Sequence, residues 1–403
     1  MSNDISASLT PCIDEARAIH RNLPVFMGYL DFSLEQFRES GGVQCDMEKL
    51  DAAGVRYAAV SIGYGCYFQI GPGEVVLAGS DQWLFERMLE RVDWVADTIR
   101  DCPRARLITG ASQLRREPGD DSIGFIIHLT GNNHTFSLDC VDAFFEHGVR
   151  ATHPAMQYHN RWCAGIGGIP APAITDFGKK VVARMNELGI LLDVAHASDE
   201  SAQAIIRASK KPVIDGHTTS RNLVPSSRGL SDQTLRMLAE SGGVIGVHFA
   251  DHLLTEEVWR RKQRKAKQTD APPRIWAYNR HLLETVSDPD ERVRLRKDRE
   301  AQERFYLQND LPPEPAPSTE RIATLEHMAD VFEYLIDLAG DDHVALGGDV
   351  NGIGNDQWPL GMDHIGELPN LTATLLKRGY SRERLEKILC ANWLRVYDET
   401  LPK

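Results

Sequence analysis

The chain has 403 residues, of which 42% are hydrophobic and 26% charged, with a formal net charge of −13 and a pI of about 5.6. This acidic balance argues against nucleic-acid and anionic-membrane partners, because both are bound through basic faces. The length suffices for one large α/β domain or two ordinary ones with a substantial core. Small-molecule chemistry is therefore the favoured function class.

The cysteine pattern and the N-terminal sequence bear on the compartment. The seven cysteines are scattered and never spaced as C-x-x-C, which indicates neither a disulfide framework nor a cysteine zinc site. The stretch MSNDISASLTPC lacks the basic-then-apolar progression of a signal peptide. No apolar run approaches the ~18 residues of a transmembrane helix. We expect a cytoplasmic protein with reduced thiols and no membrane partner.

Eight short apolar runs bounded by turn residues are typical of buried β-strands. In chain order they cover residues 24–30, 56–63, 123–130, 148–156, 189–195, 211–216, 242–249 and 342–348. Helical periodicity, with an apolar residue every three to four positions, lies between several of them, as at 81–101, 176–189 and 231–243. Buried strands alternating with helices predict an α/β fold, a parallel (β/α)8 or TIM barrel, whose active site lies at the carboxyl ends of the strands.

One charged segment interrupts this alternation between the seventh and eighth predicted strands. Residues 254–318 contain helical stretches such as EEVWRRKQRKAKQ and close on the proline-rich NDLPPEPAPS. We interpret 1–403 as a single barrel domain, with 254–318 as a helical insertion over the barrel mouth or at a subunit contact. A solvated helical excursion without a further role is the alternative interpretation.

Two histidines stand at the ends of neighbouring predicted strands. His196 follows GILLDVA, and His217 follows KPVIDG. Adjacent strands lie ~4.8 Å apart, so two neutral imidazoles that point inward from them can share one divalent ion. Asp349 follows the last strand in ALGGDVNG, where its carboxylate is placed for proton transfer. Taken singly, a core histidine and a turn aspartate are the structural alternatives.

These residues carry a family resemblance. Residues 183–249 resemble the core of the renal (membrane) dipeptidase family, peptidase family M19 of the amidohydrolase superfamily, and DHVALGGDVNGIG resembles its last strand. The resemblance covers most of the chain outside 254–318 and is weak before Asp121. It implies a (β/α)8 barrel whose relatives carry two zinc ions, hydrolyse dipeptides and in many cases form homodimers.

The resemblance also implies roles for four residues. His196 and His217 match the two histidines of one metal site, Arg228 matches the arginine that holds the substrate carboxylate, and Asp349 matches the catalytic acid/base. A guanidinium suits that carboxylate because two of its N–H groups bind it at once. Without the resemblance, Arg228 is equally well read as a plain surface arginine.

Two positions depart from the family pattern. Where the family has Asp-Gly-His-x-Asp at the end of the first strand, this chain reads MGYLD, so Tyr29 replaces a histidine ligand and Asp31 is retained. The glutamate that bridges both ions in the family aligns with Thr130. Two dications repel each other strongly without an anionic ligand between them. We therefore expect one zinc ion at most, or none.

Further polar residues near the strand ends are candidates for the site. His128 lies two positions before Thr130 and faces the same side of its strand, and His248 ends the seventh strand. Both are candidates for a substrate contact or a new ligand, beside the simpler role of a polar residue that lines the cavity or sheet, and His153 ranks below them. Tyr29 is expected to act as an acid or hydrogen-bond donor, since a cation nearby lowers the pKa of a phenol, or else to pack in the core.

The leading hypothesis is a divergent M19-type amidohydrolase acting on a small dipeptide-like or amino-acid amide substrate that carries a carboxylate. Its predicted metal ligands are His196, His217 and Asp31. Its predicted catalytic residues are Asp349 and Tyr29. Its predicted substrate contacts are Arg228, His248 and His128. Two alternatives stay open. One is a metal-depleted relative that catalyses an elimination, isomerisation or decarboxylation of a small carboxylate, and the other is a non-catalytic binding protein.

Overall fold

The computed structural model describes residues 2–63, 67–71, 74–77, 81–117, 119–132, 134–156, 159–166, 171–268 and 321–403. The insertion predicted at 254–318 therefore lies outside the described residues from 269 onward. The described part of this segment contains a helix at Glu256–Gln268. None of the described helices is long and apolar enough to cross a membrane.

The described strands are dominated by one sheet that closes on itself. In chain order the strands are β1 (Val25–Asp31), β2 (Val55–Ile62), β3 (Tyr67–Gly71), β4 (Glu74–Leu77), β5 (Ala105–Leu107), β6 (Ile123–Leu129), β7 (Val149–Thr152), β8 (Leu191–Asp193), β9 (Val213–Thr218), β10 (Ile245–His248) and β11 (Val344–Val350). The sheet order is β2-β1-β11-β10-β9-β8-β7-β6-β5, and a further pairing of β2 with β6 closes the barrel. Its eight parallel strands confirm the predicted TIM barrel.

Three strands were not predicted. The short β5 pairs in parallel with the start of β6 at the edge of the barrel, and β3 and β4 form a separate antiparallel hairpin. The residues of β5 are only half-buried, so no continuous apolar run marks it. From the end of β3 to the start of β4 the sequence reads GPGE, and this combination of glycine and proline is a sequence signal for a turn.

Helices flank the barrel. In chain order they are α1 (Ser2–Asn22), α2 (Met47–Ala52), α3 (Asp81–Asp101), α4 (Leu138–Glu146), α5 (Asp176–Leu188), α6 (Asp199–Ala208), α7 (Asp232–Glu240), α8 (Glu256–Gln268), α9 (Leu325–Ala339), α10 (Leu368–Lys377), α11 (Arg382–Glu386) and α12 (Asn392–Thr400). Thr175, Ser198 and Ser231 cap α5, α6 and α7, because each hydroxyl accepts a backbone N–H of the first turn. Gly189 ends α5 in the left-handed conformation that favours glycine.

Aromatic residues fill the amino-terminal end of the barrel. The ring of Phe26 stacks on Tyr57 and on Tyr397, with centroids 5.6 and 5.2 Å apart. Trp393 of α12 is fully buried, and its Nε1–H donates a hydrogen bond to the Leu346 carbonyl at 2.8 Å. This end is therefore a packed core, and the polar interior of the barrel lies toward the carboxyl ends of the strands.

Candidate functional site

A ring of buried polar side chains occupies the carboxyl ends of the strands. It consists of Tyr29, Asp31, Ser61, His128, Thr130, His153, Asp193, His196, Asp215, His217, His248 and Asp349. Seven of the eight predicted site residues belong to this ring, and the eighth, Arg228, reaches it from the loop that follows β9. The structure thus brings the predicted residues together at one rim of the barrel.

Two groups of three side chains in the described part of the chain place possible ligand atoms within 4.8 Å of one another. The groups are His128, His153 and Asp193, and His217, His248 and Asp349. Of the three predicted metal ligands, His217 belongs to the second group, and His196 and Asp31 belong to neither. Proximity alone makes both groups candidate metal sites, so their hydrogen bonds decide between a metal site and a hydrogen-bonded network.

The first group forms a complete hydrogen-bonded network around Asp193. Oδ1 accepts the backbone N–H groups of Ala195 and Gly216, each at 2.9 Å. Oδ2 lies 3.0 Å from Nε2 of His128 and 3.1 Å from Nε2 of His153. Burial opposes ionisation, but the attraction of His153 and the hydrogen bond from His128 outweigh it and hold the pKa of Asp193 far below its usual range. Asp193 is therefore an ionised carboxylate with four donors.

The other ring nitrogens show which tautomer this network uses. Nδ1 of His128 and Nδ1 of His153 are buried and meet no hydrogen-bond partner among the described residues. A metal ion on both Nε2 atoms requires a proton on each Nδ1, which leaves two buried N–H donors without acceptors. If each histidine instead carries its proton on Nε2, both rings donate to Asp193, and each buried Nδ1 keeps only a lone pair without a partner. The hydrogen-bonded network is the better description, and burial lowers the pKa of His153 to about 4.

Three hydroxyl groups meet where the resemblance places ligands of a second metal ion. The Tyr29 hydroxyl lies 2.5 Å from Ser61 Oγ and 3.0 Å from Thr130 Oγ1, and Ser61 and Thr130 are also hydrogen-bonded to each other. Three O–H donors thus serve three contacts, so each hydroxyl can donate once and accept once. This hydroxyl cluster is satisfied internally and carries no formal negative charge.

The Tyr29 ring lies among the histidines of the rim. It stacks on the ring of His217 with centroids 3.8 Å apart, and its centroid lies 5.2 Å from that of the nearly parallel ring of His153. His128 meets it edge-on at 5.3 Å. The tyrosine therefore fills the space beside His217 with a neutral ring and keeps its hydroxyl in the hydroxyl cluster.

His196 and His217 present neutral imidazoles to the rim. Their ring centroids lie 5.4 Å apart. Burial, with repulsion from Arg228, lowers the pKa of both histidines well below the usual value, and the neutral form is the one that binds metals. His196 has a φ of 64°, a left-handed backbone that is uncommon outside glycine and concentrates at functional sites.

Asp349 is a buried acid at the end of β11. Its φ of 78° is again left-handed, and its Oδ2 lies 3.2 Å from Nε2 of His248. Burial raises the pKa of Asp349 to about 7, against the attraction of Arg228. The pKa of this carboxyl group thus lies near neutral pH, where a group that alternately accepts and donates a proton works best.

Asp31 and Asp349 approach each other across a glycine. A Cβ atom added to Gly352 would collide with Oδ1 of Asp349 and Oδ2 of Asp31, so both carboxyl oxygens lie against the bare face of that residue. Glycine is required at this position because of that close approach. Asp31, the acid retained at the end of the first strand, therefore lies on the same side of the rim as Asp349, the predicted acid/base.

Arg228 brings positive charge to the rim. One guanidinium nitrogen, Nη2, donates to the carbonyl of His217 at 2.5 Å. The other, Nη1, is buried and has no acceptor in the described ranges of the chain. A buried N–H donor without a partner is costly, so an anionic group from outside the chain is the natural acceptor.

Sequence reasoning ranked one important residue too low and left three out. His153 directly follows β7, and His196 lies a short distance beyond the end of β8, so a histidine close to the end of an apolar run was the available signal. Asp193 and Asp215 lay inside apolar runs and were read as strand residues, whereas both side chains are fully buried in the ring. Burial raises the pKa of Asp215 to about 7 against the attraction of Arg228, with the charge of Asp193 adding to the rise. No sequence signal marked Ser61.

Comparisons with known proteins place this rim in context. The sequence model of the family described as membrane dipeptidase (peptidase family M19) matches residues 13–401. An uncharacterised protein in the pqqA 5′ region of Klebsiella pneumoniae is 27% identical over 301 residues, which cover 73% of this chain and 88% of that protein. Dipeptidase 3 of Rattus norvegicus is 22% identical over 321 residues, 77% of this chain and 51% of the relative, so the match spans about half of that relative's length.

Two solved structures share the fold over nearly the whole chain. The probable dipeptidase PvdM from Pseudomonas aeruginosa has a TM-score of 0.73 at 21% identity, covering 97% of this chain and 98% of that one. A metallo peptidase from Rhodobacter sphaeroides, liganded with a phosphinate mimic of the dipeptide L-Ala-D-Ala, has a TM-score of 0.66 at 20% identity, covering 94% and 99%. At such identities the likeness concerns the fold.

Proposed function

Because the chain belongs to the membrane dipeptidase family, peptidase family M19, and is a dipeptidase-like amidohydrolase, we propose that its substrate is a small dipeptide-like or amino-acid amide with a free carboxylate. The observation that carries this proposal is the unpartnered, buried Nη1 of Arg228 at the rim that also holds Asp349. A positive anchor and a proton-transfer acid at one barrel mouth suit an amide that carries an anionic end.

A pair of metal ions does not fit the residues present. The hydroxyl cluster of Tyr29, Ser61 and Thr130 offers three neutral oxygens already bonded to one another, where a second dication needs an anionic ligand. By its chemistry, one donor set suits a single ion, although the ligand atoms of its three members, His196, His217 and Asp31, do not all lie within 4.8 Å of one another. Two neutral imidazoles and a carboxylate match a catalytic zinc site, so we propose that His196, His217 and Asp31 hold one divalent ion, zinc by preference. Such an ion supplies Lewis acidity toward the amide carbonyl.

The chain's own residues supply the remaining steps. Arg228 binds the substrate carboxylate and fixes the amide relative to the rim. Asp349 accepts a proton from the attacking water and returns it to the leaving amine, so that the amide C–N bond breaks and a carboxylic acid and an amine form. Tyr29 is not assigned a proton in this scheme, since its hydroxyl belongs to the hydroxyl cluster. The cytoplasmic location and the homodimer stay predictions.

A dipeptide screen with a matched arginine pair tests this proposal. We expect Arg228→Lys to raise KM by about tenfold with a smaller change in kcat, because a single ammonium cannot bind a carboxylate through two nitrogens. The exposed Arg207 on α6 provides the control, and Arg207→Lys should leave both constants unchanged. Hydrolysis of no dipeptide or amino-acid amide, in protein loaded with zinc, would contradict the proposed function and favour the non-hydrolytic or binding alternatives.

Metal content provides the second test. We expect about one divalent ion per chain by plasma mass spectrometry, lost in His196→Ala/His217→Ala. Two ions per chain would contradict the single-ion site, and none at saturating zinc would exclude it.

A further inference from the structure

We propose that Arg221 is a positioning residue for Arg228: its guanidinium holds the peptide that follows this arginine anchor and so fixes the place from which the anchor meets the substrate carboxylate. This inference rests on the proposed function in giving Arg228 a carboxylate to bind. The contact between Arg221 and the loop is a property of the fold alone. The two parts are therefore tested by separate measurements.

Arg228 lies in a loop that leaves β9 and returns to its own start before α7 begins. At the base of this loop, the N–H of Arg221 donates to the carbonyl of Leu230 at 2.9 Å, and the N–H of Leu230 donates to the carbonyl of Thr219 at 3.2 Å. Ser220 and Leu230 also form a parallel β-bridge. Main-chain hydrogen bonds therefore close the loop, with Arg228 next to the point of closure.

Arg228 occupies a tight turn within this loop. The Ser226 carbonyl accepts the N–H of Gly229 at 3.1 Å, and the Ser226 hydroxyl accepts the N–H of Arg228 at 3.2 Å. These two bonds fix the N–H groups of the anchor and of the residue that follows it. They leave the carbonyl of Gly229 to be held from elsewhere.

The residue after the anchor has to be glycine. A Cβ atom added to Gly229 would lie 2.9 Å from the carbonyl oxygen of Thr219 and 3.3 Å from the backbone nitrogen of Arg221, so the two ends of the loop approach too closely for a side chain. Glycine has more conformational freedom than any other residue, so a glycine beside Arg228 loosens the anchor unless another contact restrains it. The loop therefore requires a further contact at this position.

Arg221 provides that contact from the other end of the loop. Its Nε and Nη2 both donate to the carbonyl oxygen of Gly229, at 3.2 and 2.9 Å. A guanidinium presents its donors in a rigid plane, so two bonds to one oxygen restrain the orientation of the peptide as well as its position. The N–H of the same peptide group, on Leu230, donates to Thr219. Both polar groups of this peptide are thus held.

The consequence for the anchor follows from the contacts of its guanidinium. Nη2 of Arg228 donates to the carbonyl of His217 at 2.5 Å, and Nη1 is buried without an acceptor among the residues that the structure describes. A carboxylate meets Nη1 at hydrogen-bond distance only while the main chain of Arg228 keeps its place relative to β9. Arg221 maintains this place, because it joins the start of the loop to the residue beside the anchor.

Other contacts hold the rest of the loop, so removing the donors of Arg221 tests the anchor and not the folding of the loop. Asp232, the first residue of α7, accepts the hydroxyl of Ser220 at 2.6 Å and the side-chain amide of Asn222 at 2.7 Å. It also accepts the hydroxyl of Tyr334, on α9, at 2.6 Å. These bonds do not involve the guanidinium. Arg221→Met, which keeps an unbranched stem without donors, is therefore expected to fold.

Kinetics separate positioning from a merely structural role. We expect Arg221→Met to raise KM for a hydrolysed dipeptide roughly fivefold to thirtyfold and to change kcat by less than about threefold, because the anchor moves while Asp349 is untouched. In an Arg228→Met background the same substitution should raise KM no further, since the anchor is gone. Arg207→Met, on the exposed side of α6, is the control and should leave both constants unchanged. An unchanged KM in Arg221→Met, or an equal rise with and without Arg228, would overturn the proposal.

Hydrogen exchange tests the contact with the loop without any activity. The N–H groups of Gly229 and Leu230 are hydrogen-bonded and should exchange slowly in the wild type. By mass spectrometry, we expect Arg221→Met to speed exchange in peptides covering residues 222–230 by about fivefold or more and to leave peptides from β9 unchanged. Wild-type exchange over 222–230 in this variant would refute the inference. If no amide is hydrolysed, the proposed function fails, while the exchange rate still decides whether Arg221 holds the loop.

Discussion

The network around Asp193 makes a strong prediction for the substitution Asp193→Asn. An asparagine is nearly isosteric, so its Oδ1 keeps the backbone N–H groups of Ala195 and Gly216. Its Nδ2, however, is a donor and meets Nε2 of His128 and of His153, which in the wild type also donate. Both imidazoles must therefore move their proton to Nδ1.

The cost of this switch follows from the surroundings of the two Nδ1 atoms. Both are buried without a partner among the residues described, so each new N–H group is left without an acceptor. An unsatisfied buried donor costs about 1–3 kcal/mol, which gives a destabilisation of about 2–6 kcal/mol for the pair. Domains of this kind have a total stability of roughly 5–15 kcal/mol, so the variant is expected to fold but to unfold far more easily.

Urea unfolding measures the free-energy change, and 15N-histidine spectra report the tautomers. We expect an unchanged m-value, a lower free energy of unfolding, and protons moved from Nε2 to Nδ1 on both histidines. His128→Gln is the matched control, because its amide can still donate to Asp193 and should cost ~1 kcal/mol or less. A loss below ~1 kcal/mol in Asp193→Asn with unchanged tautomers would refute the hydrogen-bonded network.

Two further predictions concern pH and metal content. Burial lowers the pKa of His20 to about 4 and of His134 to about 3, so below pH 6.5 the unfolded chain binds more protons than the folded one. Stability should then fall as pH drops from 6.5 to 4.5, by about 2 kcal/mol for each histidine. A flat urea midpoint over that range would contradict this, and His134→Phe should reduce the slope. Separately, Tyr29→His combined with Thr130→Glu should raise bound zinc to about two ions per chain. Each single variant should stay at one ion or fewer, and no gain in the double variant would count against the role given to the hydroxyl cluster.

The barrel and its rim were predictable because each of the eight barrel strands coincides with a short apolar run in the sequence. The runs that end at His196, His217 and Asp349 are continuous and apolar, and parallel strands of one barrel bring their carboxyl ends to one rim. What each side chain does there was not predictable from the sequence. The partner of His128 is Asp193, two strands away around the barrel, and the tautomer of His248 depends on one backbone N–H. Such contacts are fixed by barrel closure and leave no periodic signal.

The hydroxyl cluster could not be predicted from the alternation of polar and apolar residues along the chain. Ser61 lies inside an apolar strand and Thr130 at the end of another, and the pairings of β2 with β1 and with β6 bring them together with Tyr29. Sequence comparison with the family pattern showed what Tyr29 and Thr130 replace. It did not show that their hydroxyls bond to each other, since Ser61 belongs to neither motif.

The left-handed turns of the rim set limits on engineering this protein for heat resistance. Asn351 has a φ of 65°, and glycine is the residue that adopts this backbone without strain. Its side-chain amide, however, binds the carbonyl of Asp31 at 3.2 Å and Gln36 at 3.3 Å, so a glycine there would loosen the first strand end. At His196 and Asp349 the same exchange would delete the side chains on which the proposed chemistry depends. Conformational ease and activity therefore oppose each other at these three positions, and gains in melting temperature have to be sought away from the rim.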